Sequence, residues 1–258
     1  VRSLPRRLDH GEEATLVEHL EELRQRIFVC LGALVVGFAV TYGFHRHVLG
    51  WLNRYLPHHV GGKPFTLGIA EPFLTVMKIS LWGAVLLALP VIFWQLWAFL
   101  APAVEAGTER RVRGFAFFAS LLMVSGIVFG YFVTLPAAIH YLTNYDKGYF
   151  DIHIGASSYY SFVTMVLIAM AIVFELPIFV IALVRLGILS TQQLRRNRRV
   201  GYFVVACVGV ALPGIDPVTT IFETIPLWFL FELSIWLSIL AERRAATAAQ
   251  ASAGVPGG

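Results

Sequence analysis

Six apolar runs divide this sequence and leave the chain few folds to adopt. They cover residues 27–44, 73–100, 114–139, 159–186, 200–212 and 225–240. Crossing about 30 Å of hydrocarbon takes about 20 helical residues. The first four runs approach or exceed that length. The fifth and sixth fall short of it, which predicts local bilayer thinning or polar flanks drawn inward. Composition agrees with a membrane setting: 57% of the 258 residues are hydrophobic and 14% are charged. A soluble domain carries about 25% charged residues. The chain therefore reads as an all-α, polytopic membrane protein with six transmembrane helices, the last two short.

The basic residues set the predicted orientation. One set of alternate segments holds Arg2, Arg6, Arg7, Arg24 and Arg26, then Arg110, Arg111 and Arg113, then Arg195, Arg196, Arg198 and Arg199, then Arg243 and Arg244. The other set holds Arg46, Arg54, Lys63 and Lys147. The richer side is cytoplasmic, so both termini are expected inside. Three regions follow: a cytoplasmic segment with an interfacial helix over 1–26, a transmembrane domain over 27–240, and a cytoplasmic tail over 241–258. The tail is rich in Ala, Gly and Ser, which predicts disorder. Residues 1–26 contain five Arg and five Glu and no apolar core, so no cleavable signal peptide is expected. The net charge of +4 comes from basic residues at the ends of apolar runs, which topology explains without nucleic acid.

Several polar groups sit where lipid would make them costly. The stretch "LVEHLEELRQRIF" (16–28) reads as an interfacial helix, with Thr15 and Glu18 matching a capping box. Leu16, Leu20, Leu23 and Ile27 share one face, and Glu22 can pair with Arg26 four residues on. A self-paired solvated face and a ligand-binding face fit these acids equally well. The loop "APAVEAGTERRVR" brings Glu105 and Glu109 to the same membrane side as Glu22. Two carboxylates there suit a ligand with two guanidinium groups; the plainer role for Glu109 is to offset Arg110 and Arg111. Glu175, in "VFELPIF", lies eleven residues from Leu186, about 16 Å along a helix. Ionisable groups at such depth are expensive and usually functional. Pro177 cannot donate a backbone hydrogen bond and should loosen the helix beside Glu175. Glu232 is a second carboxylate inside an apolar run. Asp216 reads as a turn former before Pro217. A short helix is expected around residues 48–56.

Catalytic and metal signatures do not emerge. His45, His47, His58 and His59 fit no standard zinc spacing. Cys30 and Cys207 fall inside apolar runs and read as buried small hydrophobes. No phosphate-binding loop, nucleophile elbow or paired-cysteine motif is present. We expect no enzyme, no metal and no cofactor.

Six motifs carry a family resemblance. "HLEELRQR" precedes the first run, "WQLWAFLAPA" closes the second and "ERR" opens the third. "FELP" lies in the fourth, and "PGIDPVTT" with "IPLWFLFE" spans the turn into the sixth. In this order they resemble the TatC family, the core of the twin-arginine protein translocase, over about residues 16–242. The resemblance implies a glove-shaped six-helix bundle in the cytoplasmic membrane. It implies a receptor for signal peptides carrying consecutive arginines, and export of folded proteins driven by the proton-motive force. By the resemblance, Glu22, Glu109, Arg24, His19 and Phe99 line the signal-peptide site, with Glu105 as the alternative second carboxylate. Glu175, Pro177 and Thr220 match the region linked to the single-span partners TatA and TatB, in an oligomeric complex. Some relatives carry Gln where this chain has Thr220, whose shorter side chain weakens the case for a direct bond to Glu175. The rival reading is a proton-coupled secondary transporter using Glu175, although no internal repeat supports it.

Overall fold

The computed structural model describes residues 16–56, 63–104, 109–146, 148–149, 153–185, 187–212 and 216–253. Within these, the side chains at 16–19, 97, 100–104, 109–113, 115–116, 185, 241 and 243–253 are not described. The Thr15–Glu18 capping box, His58, His59, Glu105, and the side chains of His19 and Glu109 therefore lie outside the description.

The described chain is mostly helical. Its elements are α1 (Leu16–Gly43), α2 (His45–Leu52) with a following 3-10 turn (Asn53–Tyr55), α3 (Glu71–Val104), α4 (Glu109–Phe129), a π turn (Gly130–Thr134) and α5 (Leu135–Asn144). After these come α6 (Ala156–Val173), α7 (Leu176–Arg185), α8 (Thr191–Arg196), α9 (Arg198–Ala211) and α10 (Pro217–Ala253). Among the described residues the only strand-like feature is one bridge, Phe65 to Gly155. Five segments are long and apolar enough to cross a membrane: Leu20–Gly43, Glu71–Leu96, Phe117–Asn144, Ala156–Val184 and Pro217–Leu240. The chain is a multi-pass membrane protein.

Two expectations change. The last span is not short: it runs 24 residues from Pro217, eight residues before the apolar run begins. Thr219, Thr220 and Glu223 interrupt the hydropathy but not the helix. Asp216 caps the start, its carboxylate accepting from the Thr219 amide at 2.8 Å, and Pro217 occupies the first helical position. At the other end α10 continues to Ala253, through most of the segment expected to be disordered. Its alanines carry the highest helix propensity of any residue. The fifth run does form a short helix, the 14-residue α9.

Small residues set the closest packing. A Cβ on Gly83 of α3 would come within 2.4 Å of the Thr41 methyl of α1, and one on Gly37 within 3.0 Å of the Ala84 carbonyl oxygen. Lipid tails are as apolar as leucine, so helices in a bilayer associate through such close contacts. The α9–α10 pair is built the same way, with Gly201 under Phe231 and Gly209 under Thr224. Cys207 is exposed on α9, not buried.

The largest core cluster gathers α6, the π turn and α5 against α2. Three tyrosines at its rim hold the short helix down. Tyr131 donates to the Trp51 carbonyl at 2.9 Å, Tyr159 to the Leu52 carbonyl at 2.6 Å and Tyr160 to Asn53 Oδ1 at 2.7 Å. The Glu71 carboxylate draws together the same end of the bundle, accepting from the amides of Leu67, Gly68 and Ser157.

The α1–α3 contact yields a direct test. Gly83→Leu should destabilise the folded chain by about 1–3 kcal/mol through overpacking. Gly32→Leu, on the same helix pair but with nothing within 4 Å of its Cβ position, should leave it unchanged. Melting of both variants in detergent measures the difference.

Candidate functional site

Of the described acids of the opening helix, Glu21 is exposed and Glu22 is partly buried. Arg26 donates to the Glu22 carboxylate four residues back, as helical spacing allows. The same guanidinium also reaches α3, to the Gln95 carbonyl at 3.4 Å, Gln95 Oε1 at 3.3 Å and the Ala98 carbonyl at 3.1 Å. A cation beside the last turns of α3 is favoured by the helix dipole and by its exposed carbonyls. Arg26 is thus a rivet between α1 and α3, and Glu22 hangs from it with its side chain 42% exposed. Glu22 is thus both self-paired and open to solvent, as the plain reading has it, and its exposed carboxylate stays accessible to a ligand.

The other expected residues surround this point unevenly. Arg24 does not pair with Glu22; its guanidinium lies 5.7 Å from the Phe28 ring centroid, a cation–π contact on the outer side of α1. Phe99 sits on α3 one residue beyond Ala98 and is half-buried. Glu109 is the first residue of α4, the helix that follows α3 in the chain. Gln95 is the residue that pattern reading missed, since a single amide in an apolar run gives no sign of the guanidinium it meets.

A second set of polar groups lies within the spans. The fourth span breaks where Pro177 leads one to expect it: α6 ends at Val173, Phe174 and Glu175 form a turn, and α7 starts at Leu176. Pro177 has no N–H to offer the Val173 carbonyl. Glu175 is 5% exposed, and neither carboxylate oxygen has a hydrogen-bond partner among the described residues. Thr220 does not reach it; its hydroxyl donates to the Asp216 carbonyl at 2.9 Å. Glu223 was not anticipated at all. It is 0% exposed on α10, also without a hydrogen-bond partner among the described residues. The four-residue spacing of Thr219, Glu223 and Leu227, all fully buried, was the signal available in the sequence. Glu232 is satisfied, accepting from the Tyr202 hydroxyl and facing Arg198 at 3.6 Å.

Known proteins match this chain along most of its length. The model of the family TatC, "Sec-independent protein translocase protein (TatC)", covers residues 18–226. The Sec-independent protein translocase protein TatCd of Bacillus subtilis (strain 168) is 34% identical over 235 residues, covering 90% of this chain and 95% of the relative. The TatC protein of Helicobacter pylori (strain J99) is 31% identical over 223 residues, covering 86% and 88%. A crystal structure of the twin-arginine translocase receptor TatC superposes with a TM-score of 0.75 at 30% identity, covering 86% of this chain and 99% of that one.

The Arg26 rivet predicts a measurable coupling. Arg26→Gln should cost about 1–2 kcal/mol, since it removes hydrogen bonds made by a charged donor. Adding Glu22→Gln should cost less in that background than in the parent chain, because the partner is already gone. A double-mutant cycle of unfolding in mixed micelles reads the difference.

Proposed function

The chain belongs to the TatC family, and on that premise we propose that this Sec-independent protein translocase component is the signal-peptide receptor and core of a twin-arginine translocase. It holds six spans in the cytoplasmic membrane, α9 forming the short fifth, with both termini on the cytoplasmic side. It is not an enzyme. Folded cargo crosses at the expense of the proton-motive force, with single-span TatA and TatB subunits assembled around this core. The transporter alternative rested on Glu175 alone and gives way to a family match over residues 18–226.

The observation that supports the receptor role is the half-exposed Glu22 carboxylate at the α1–α3 junction, with α4 opening at Glu109. An incoming arginine takes over Glu22 from Arg26. Arg26 keeps its acceptors at Gln95 and Ala98, so its charge is not stranded by the exchange. Glu109 receives the second arginine, with His19, Phe99 and Arg24 flanking the pair. A guanidinium meets a carboxylate through two parallel hydrogen bonds, which lysine cannot reproduce.

Photocrosslinking of the purified complex to a signal peptide tests this. Glu22→Ala and Glu109→Ala should each lower the yield about tenfold for an Arg-Arg peptide, and a Lys-Lys peptide should crosslink poorly to the parent chain. Loss with Glu105→Ala in place of Glu109→Ala reassigns the second carboxylate. Unchanged yield in both primary variants removes the assignment.

For the interrupted fourth span, Glu175 makes a polar contact with a partner's single helix, with Pro177 holding the break open and Thr220 on the facing helix. Disulfide scanning along α6 and α7 should locate the partner at this level. Glu175→Ala should reduce both the crosslinks and transport; intact assembly and transport would sink the idea.

A further inference from the structure

The cytoplasmic end of α10 carries a feature that the receptor reading does not use. A cleft of about 630 Å³ opens between α8 and α10, lined by Thr191, Gln192, Arg195, Arg196, Ile239 and Glu242. Its wall is rigidly mounted. Ser190 caps α8 by accepting from the Gln193 backbone amide at 3.1 Å, and Gln193 Oε1 accepts in return from the Ser190 backbone amide at 3.0 Å. Thr191 is buried and donates to the Glu242 carboxylate, which fastens α8 to α10. That bond occupies the cleft's acid, although its charge remains. Arg195 and Arg196 form the last turn of α8, both exposed, and no carboxylate among the described residues pairs with either. The neighbouring Arg198 is engaged with Glu232, and Arg199 adds a further exposed cation.

The height of the cleft decides what it suits. The α10 span ends at Leu240 and the α6–α7 span at Val184, so Ile239 lies at the edge of the hydrocarbon and the arginines lie just beyond it. Below them Trp236 on α10 is exposed and apolar, as is Ile188 in the turn before α8. A soluble anion or an acidic peptide would use the cations and leave this apolar ground uncovered. A ligand with an anionic head and a hydrocarbon tail uses both. Basic clefts between helices at the cytoplasmic face suit such headgroups.

We propose that the α8–α10 cleft is a binding site for an anionic phospholipid, its phosphate held by Arg195 and Arg196 and its acyl chain laid along Ile239 and Trp236. The site rests on the cytoplasmic placement of this loop but not on the signal-peptide pocket. It gives the end of the bundle a fixed lipid, seated between two elements that the Thr191–Glu242 hydrogen bond joins.

Native mass spectrometry of the full chain, released from micelles containing phosphatidylglycerol or phosphatidylcholine, tests the proposal. The parent chain should retain phosphatidylglycerol about tenfold better. Arg195→Gln with Arg196→Gln should bring retention down to the phosphatidylcholine level. Arg46→Gln with Arg54→Gln, an equal charge loss at the opposite end, should leave it unchanged. Millimolar inorganic phosphate should not displace the lipid; if it does, the cleft is a simple anion site and the proposal fails. Equal retention by the parent and the Arg195/Arg196 variant, or equal loss in the control pair, overturns it as well. Signal-peptide crosslinking in the same samples separates the two readings, since loss of lipid retention with intact crosslinking bears on this cleft alone.

Discussion

A helix crossing hydrocarbon has to satisfy its own backbone, because lipid offers no hydrogen bonds. Every irregularity in this bundle is shaped by that constraint. The third span winds into a π turn at Gly130–Thr134, where the Leu135 amide reaches back five residues to the Gly130 carbonyl. Pro136 follows immediately and cannot continue the ordinary ladder. The fourth span turns at Phe174–Glu175 before Pro177. The two irregular stretches are not scattered. A Cβ on Gly126 would meet the Met170 carbonyl and the Phe174 side chain, and one on Gly130 would meet Met170. The third helix thus lies tight against the fourth just before it breaks, which screens the loosened backbone with protein in place of lipid.

The same constraint bears on side chains, and here the bundle treats them in two ways. Ser234 and Ser238 are buried but donate to carbonyls one turn back on their own helix, at 2.6 and 2.8 Å. Such hydroxyls cost little. Glu175 and Glu223 have no comparable outlet. A buried carboxylate without a partner is among the least tolerated groups in a membrane interior. Among the described residues there are two of them, one at a helix break and one on an unbroken helix.

How much of this was legible depended on the range of the interaction. Hydropathy located the first four spans to within several residues of their ends, since lipid solvation is a local property of each segment. Pro177 announced the break because its effect is confined to its own turn. Pro136 carried an equal signal for the third span, and the π turn could have been anticipated from it. The last span was misjudged because Thr219, Thr220 and Glu223 look polar one at a time, whereas burial against α7 and α9 is a tertiary matter. Arg26 shows the limit most plainly. Its pairing with Glu22 lies within one helical turn and could be read, but its grip on Gln95 and Ala98 joins residues 69 and 72 positions apart. No period in a single sequence encodes that meeting.

The three tyrosines that hold α2 have a consequence for how this sequence can drift. Two of them, Tyr131 and Tyr159, grasp main-chain carbonyls at Trp51 and Leu52, which exist whatever side chain is present. Only Tyr160, through Asn53 Oδ1, asks for a particular residue on the helix it holds. Substitutions along the outward side of α2 therefore leave these backbone-directed bonds intact, whereas Trp51, although mostly exposed, also stacks its ring on Tyr131 at 5.5 Å. The burden of keeping the short helix in place falls on the bundle beneath it. A crest of this kind can change its surface chemistry from one lineage to another while its position on the molecule stays the same.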